Sequence, residues 1–355
     1  MAAPLQNIGR IVVRAPNWVG DAVMSVAAFR ELRGLFPHAQ ITVVSKPGTA
    51  DIFRDADFVD DVLVYERHGL SSVWPQVREW RQQRFDLAFL FQNAFEAALV
   101  SFLARVPARA GYDTERRGFL LTHPVPVPSW KNERHEIFYY LNLVAELERR
   151  LFGTASKETS EPSFELAVSA EQKREARELL AAQNADAEKP LVLLCPGSVN
   201  SRAKRWPADR YAALADQLAA TGATVALIGS PSELEVSNQV KKLARHAPVL
   251  LTGKTSVAEV TALISVADLL ITNDTGPAHI GAAVGTPTLV IFGPTNPLTT
   301  RPYGPAGQII RQPPDCAPCM LRDCPIDHRC MTAITPEEVF QSARGLIGRH
   351  AEVAV

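Results

Sequence analysis

The sequence predicts an α/β protein built from two Rossmann-like βα domains that face a central cleft. Three features predict it. The chain has 355 residues, long enough that two moderate domains are the default expectation. In both halves, short near-continuous apolar runs alternate with stretches of helical spacing, the pattern of parallel strands covered on both faces. Between the halves, Gly153 to Ser163 (GTASKETSEPS) is polar and aperiodic and contains a proline, as a linker does.

The first half opens with a β-rich run, Ile8 to Arg14, and the turn Ala15 to Asp21. A segment of helical spacing through Val23, Val26, Ala27 and Arg30 ends near Pro37, and QITVVS (Gln40 to Ser45) completes a βαβ unit. DVLVY (Asp61 to Tyr65), an amphipathic stretch over Ser72 to Arg84 and DLAFLF (Asp86 to Phe91) continue it. After the linker the alternation restarts with PLVLLCPG (Pro190 to Gly197), a helix over Ala208 to Ala220 and ATVALIG (Ala223 to Gly229). Helical stretches after Pro231 and over Val257 to Val266 lead to the strand ADLLIT (Ala267 to Thr272). A helix starts near Thr275, TPTLVIFG (Thr286 to Gly293) is the last strand, and Pro336 to Arg349 is a closing helix capped by Thr335. The expected domains are 1–160 and 161–335, with a final segment, 336–355, able to cross back to the first.

Composition excludes some functions. Hydrophobic residues make up 46% and charged residues 21%, with a formal net charge of −1, which lacks the positive surplus that nucleic-acid binding requires. No apolar run approaches the roughly 20 residues of a membrane-spanning helix. The start, MAAPLQNIGRIVVRAP, lacks a secretory pattern; the expectation is a cytoplasmic protein with reduced cysteines.

Three strand-to-helix loops carry the chemistry. Thr272 to His279 (TNDTGPAH) follows a strand and opens a helix, whose unpaired N–H groups and positive dipole end suit a diphosphate. Thr275 adds a hydroxyl and Gly276 allows close approach. Asp274 would repel phosphate and suits sugar hydroxyls instead. The plain alternative is that Asp274 or Thr275 caps the helix. Asp-Thr-Gly also marks aspartic proteases, which need a second such carboxylate; the chain has no second copy. Cys195 to Pro207 (CPGSVNSRAKRWP) places Lys204 and Arg205 beside a Gly-Ser turn, where they could neutralise a departing diphosphate. The alternative is a solvated basic loop anchored by Trp206. In the third loop, Asp21 could take a proton from an attacking hydroxyl, or could be the N-cap of its helix. No G-x-G-x-x-G follows any strand, and Gly253-Lys254-Thr255 fails as a P-loop because Pro248 stands where glycine is required.

APNWVGD (Ala15 to Asp21), CPGSVNSRAKRWP (Cys195 to Pro207) and TNDTGPAHIGAAVGTP (Thr272 to Pro287), in this order and spacing, resemble the ADP-heptose–lipopolysaccharide heptosyltransferases, within them the type II branch. The resemblance implies the GT-B fold, an acceptor-binding N-terminal lobe, a donor-binding C-terminal lobe, transfer with inversion and no metal requirement. It implies that Asp21 is the base and Lys204 the phosphate-side lysine. Asp274, Thr275 and Gly276 match the donor loop, Glu233 the carboxylate that holds the ribose, and Thr255 the adenine pocket. Ser198 and His279, in the same loops, join the donor-side candidates. The implied partners are ADP-heptose and heptosyl-Kdo2-lipid A, met at the inner face of the inner membrane through peripheral contact, with no nucleic acid. That acceptor is strongly anionic, so Arg116, Arg117 and Lys131, with Arg105, Arg109 and Arg134 nearby, are its candidate contacts.

Cys316, Cys319, Cys324 and Cys330 lie in DCAPCMLRDCPIDHRCM with His328 among them. A structural zinc is one expectation, an iron–sulfur cluster a second, and four unligated thiols packing a loop the third. Cys195 is expected to be a buried strand end. Rival functions are heptosyltransferase I, another GT-B transferase with a UDP or GDP donor, a redox protein built on the cysteines, and a non-catalytic nucleotide binder.

Overall fold

The computed structural model describes residues 8–66, 69–155, 161–186 and 188–353. The chain forms two compact units, Met1–Phe164 and Glu165–Val355. The linker expected at 153–163 falls partly on 156–160, outside the described residues.

The first unit contains β1 (Arg10–Arg14), α1 (Val19–Leu35), β2 (Gln40–Ser45), α2 (Pro47–Ala50), β3 (Asp61–Val64), α3 (Val73–Gln83), β4 (Leu87–Leu90), α4 (Phe95–Leu103), β5 (Ala108–Tyr112), β6 (His123–Val125) and α5 (Glu136–Phe152). Its strands form one parallel six-stranded sheet in the order β3-β2-β1-β4-β5-β6. Central strands are apolar throughout because both faces are covered: in RIVVR, Ile11, Val12 and Val13 are fully buried. Val12, Val77, Trp80 and Leu90 pack on the α3–α4 face, while α1 and α5 pack against each other. Helix α5 begins where His135 accepts a bond from Ile137 N, and it stops at Gly153, whose φ of 81° suits glycine.

The second unit contains α6 (Ala170–Ala181), β7 (Leu191–Cys195), α7 (Ala208–Ala220), β8 (Thr224–Leu227), α8 (Leu234–Leu243), β9 (Val249–Leu250), α9 (Val257–Ser265), β10 (Leu269–Asn273), α10 (Gly276–Ala283), β11 (Thr288–Ile291), α11 (Pro297–Thr300), β12 (Gly307–Ile310), α12 (Arg329–Thr332) and α13 (Pro336–Val353). Its parallel sheet runs β12-β11-β10-β7-β8-β9. Numbered from its own first strand and read from the β9 side, this is the same order as the first sheet, the doubly wound 3-2-1-4-5-6 arrangement. Capping boxes at Ser169–Gln172 and Ser256–Glu259 start α6 and α9.

Helix α13 is capped by Thr335, whose hydroxyl accepts from Glu338 N. It packs on α7 and β10, burying Val339 and Ala343 in the second core. Helix α13 thus contributes Val339, Ala343 and Leu346 to that core. The strands not anticipated, β5, β6, β9 and β12, are short or interrupted by Arg, Gly or Pro, and three of the four lie at sheet edges. Among the described residues no helix is long and apolar enough to cross a membrane.

Candidate active site

In a doubly wound sheet, ligands bind beyond the carboxyl ends of the strands where the order reverses. In the second unit that point lies between β7 and β10, paired through Thr272↔Cys195. The loops leaving these two strands are Cys195 to Pro207 and Asn273 to Thr275.

Asn273 ties them together. It is fully buried, its Nδ2 donates to the carbonyls of Pro196 (2.9 Å) and Gly197 (3.0 Å), and its Oδ1 accepts from Trp206 N and the Tyr211 hydroxyl, both at 3.1 Å. All four bonding positions of the amide are used. Trp206 is fully buried beneath, with Nε1 donating to Ile334 O at 3.0 Å. Held this way, the loop delivers Lys204, whose Nζ donates to Asp274 Oδ2 (2.8 Å) and Asp274 O (3.1 Å). Thr295 donates to the same Oδ2 at 2.6 Å. Asp274 is therefore a buried carboxylate paired through one oxygen, and among the described residues the third N–H of Lys204 has no acceptor.

Thr275 occupies the N-cap position of α10 in an extended conformation, but its side chain makes no cap bond. Its hydroxyl turns back to Asn273 O (3.3 Å) and Thr272 Oγ1 (3.2 Å). Capping thus explains neither Asp274 nor Thr275: the Thr275 side chain caps no N–H of α10, and Ala278 N donates to Thr275 O at 3.0 Å. Glu233 closes another side. Its Oε2 accepts from Ser230 N (2.7 Å) and Ser230 Oγ (2.8 Å), and its carboxylate lies so close over Gly197 that a Cβ there would collide with it. Ser198 is buried, and its carbonyl accepts from Arg205 Nε (3.2 Å) and Nη2 (2.9 Å). Thr255 Oγ1 is sealed in protein with no hydrogen-bond partner. Cys195 is buried, and burial, ahead of the nearby Glu233 charge, drives its thiol pKa up; it is a strand end, not a nucleophile.

The cysteine segment buttresses this loop. His328 Nε2 donates to Ala203 O (2.6 Å), Ala203 N donates to Arg322 O (2.9 Å), and Ser201 Oγ donates to Arg322 O (3.1 Å). The zinc expectation is corrected. Among the described residues no group of three or more His, Cys, Asp or Glu is placed to hold a metal. Cys330 is turned into the protein beside Gly293, while Cys316 is exposed. Burial, then the neighbouring thiols, pushes Cys330 up to about 11.

In the first unit the reversal lies between β1 and β4, and the loop leaving β1 carries Asp21 into α1. Asp21 is not the N-cap: Trp18 holds that position, and Asp21 is the third residue of the helix. Tyr140, from α5, donates to Asp21 Oδ1 at 3.2 Å. Burial, with the Asp21 charge next, holds the Tyr140 hydroxyl well above its ordinary pKa, so it remains a proton donor to that carboxylate.

A profile of glycosyltransferase family 9 (heptosyltransferase) matches residues 73–329. The chain belongs to that family. Family members similar to it include lipopolysaccharide heptosyltransferase 2 of Salmonella typhimurium, 28% identical with 95% of this chain and 98% of the relative covered. Lipopolysaccharide heptosyltransferase 1 of Pseudomonas aeruginosa is 27% identical over 89% of this chain and 87% of its own. The solved structure of E. coli ADP-heptose lps heptosyltransferase II superposes with a TM-score of 0.83 at 26% identity, covering 96% of this chain and 99% of that one. As a family 9 member the chain is a glycosyltransferase, and the redox alternative is set aside.

Within this family 9 chain, the donor-side candidates Lys204, Asp274, Thr275, Gly276 and Ser198 meet at one switch point, with Glu233 against Gly197. His279 is buried in α10. The acceptor-side cations do not form one cluster. Arg117 is fully buried, and it donates to the carbonyls of Tyr112 (2.9 Å), Gln92 (2.5 Å) and Ala94 (3.1 Å) and to Asn93 Oδ1 (3.2 Å). The expectation that it contacts the acceptor is corrected: it stitches the loop after β4 to the end of β5. Lys131 pairs with Glu136 at 2.8 Å and lies over the Tyr139 ring. Arg109 donates to Leu120 O and Val106 O, Arg134 lies over Trp130 and Phe138, and Arg105 and Arg116 are exposed. Sequence reasoning missed Asn273, Thr295, Tyr140 and His328. Asn273 could have been suspected as an amide ending an apolar strand; Tyr140 gave no local signal.

Proposed function

We propose that this family 9 glycosyltransferase moves heptose, with inversion, from ADP-heptose to the first heptose of the lipopolysaccharide inner core. It acts in the cytoplasm, in peripheral contact with the inner face of the inner membrane. The observation that carries the reading is Lys204 held on Asp274 beside the uncapped start of α10. A diphosphate there would meet the open N–H of Lys204, the N–H groups of Thr275 and Gly276 and the positive end of the helix. These fixed donors take the charge that grows on departing ADP, a task a divalent ion could otherwise perform. The second oxygen of Asp274 accepts from heptose hydroxyls. Glu233 Oε1, left over when Oε2 binds Ser230, accepts from the ribose, and Thr255 lines the base, with Ser198 and His279 behind the phosphates.

On the first domain, Asp21 takes the proton from the acceptor hydroxyl as it attacks the anomeric carbon. Tyr140 orients that carboxylate. The relatives named above support the donor and acceptor assigned here. The test is ADP release from ADP-heptose with core acceptors bearing zero, one or two heptoses, with and without a chelator. Release specific to the one-heptose acceptor and indifferent to chelation is expected. Preference for the acceptor without heptose would reassign the chain to the first transfer, and no release with any would sink the proposal.

A further inference from the structure

The carboxyl edge of the first sheet holds a buried cation that the scheme above does not use. Arg14 ends β1, directly before the loop that carries Asp21, and is 3% exposed. Among the described residues the one hydrogen bond of its side chain runs from Nη1 to Val44 O, 3.0 Å. Tyr65 covers the flat face of the guanidinium, 4.8 Å from ring centroid to Cζ, and the Tyr65 hydroxyl is itself bound to Glu96 and to Ser72. Stacking covers a guanidinium's face but leaves its N–H edge unsatisfied. Among the described residues Nε and Nη2 have no acceptor, yet neither is among the atoms sealed from solvent. Burial lowers the Arg14 pKa to about 10, opposed by Tyr65 and Glu96, so the group is a cation at neutral pH. On the neighbouring strand, Lys46 follows β2 and is half-buried, its ammonium without a hydrogen bond or ion pair among the described residues.

Desolvating a guanidinium while leaving its donors open is costly unless a ligand completes them. The open edge is a planar fork, the shape that reads carboxylate or phosphate through paired bonds. We propose that Arg14, backed by Lys46, forms an anion-recognition subsite that binds a carboxylate or phosphate of the acceptor and so sets which hydroxyl reaches Asp21. The proposal rests on the assignment of the first domain to the acceptor.

Acceptor binding without donor, followed by calorimetry, tests the subsite separately from turnover. The ligands are the one-heptose core acceptor, the same acceptor with its carboxylates methyl-esterified, and the same acceptor dephosphorylated. Arg14→Gln is expected to weaken binding of the intact acceptor on the order of 10- to 100-fold, with affinity for ADP unchanged. The penalty should vanish for whichever modified acceptor has lost the recognised group, which identifies the source of the anion. Arg14→Lys, which keeps the charge without the fork, and Lys46→Gln, at a less buried position, carry the same comparison if Arg14→Gln fails to fold. Unchanged affinity in these variants, or an equal penalty with all three acceptors, overturns the subsite. Binding that follows the expected pattern without turnover of ADP-heptose would overturn only the proposed reaction.

Discussion

The two sheets share one strand order, yet their switch points are finished differently. In the second unit the loops after β7 and β10 are cross-bonded into a closed network in which every bonding position of Asn273 is used and Asp274 is paired. In the first, the loop after β1 leads to one carboxylate bonded by Tyr140, and the arginine that ends β1 has donors without an acceptor among the described residues. The contrast is the one expected between a site preorganised for an invariant ligand and a site that its ligand completes. Preorganised donors cost no reorganisation when charge develops, whereas open donors gain their value only on binding.

Four substitutions would break or sharpen that contrast. Asp21→Ala should lower kcat by about 10²- to 10⁴-fold, the usual worth of a general base, while ADP binds as before; turnover near wild type would reduce Asp21 to a helix residue. Lys204→Ala should cost about 10²- to 10³-fold in kcat and, unlike the first change, weaken ADP as well, as a titration would show. Asn273→Ala strands the buried Trp206 N–H and two carbonyls, so urea unfolding should report a loss on the order of 3 kcal/mol. A loss under 1 kcal/mol would mean that the network is not the wiring described here. Gly197→Ala drives a methyl into Glu233 and should raise the donor KM by about tenfold with kcat little changed, since lost ribose contacts act before the chemical step. If acceptor KM moves instead, Glu233 does not serve the donor.

Much of this was legible in the sequence because the signals are local. PLVLLC reads as a buried strand since all of Leu191–Cys195 is covered, and Ala208–Ala220 reads as a helix by its period. The loops with Asp21, Lys204 and Asp274 stand out by where they leave their strands. Arg117 was misjudged for a related reason. Arg117 looks like any surface arginine in DTERRGF, and nothing nearby in sequence announces that the carbonyls of Gln92 and Ala94 need its donors. The cysteine spacing suggested ligands, but spacing along a chain does not by itself make a coordination site, and among the described residues none is placed to hold a metal.

The residues alone determined two doubly wound domains, their strand-to-helix loops and the family likeness, since period, apolar runs and loop motifs act over a few neighbours. Only tertiary structure decided that Lys204 meets Asp274, 70 positions away, that Tyr140 reaches Asp21 across 119, and that Arg117 is mortar while Arg14 keeps its edge open. Those outcomes depend on which buried polar groups find partners, and that account closes only when the whole chain is packed.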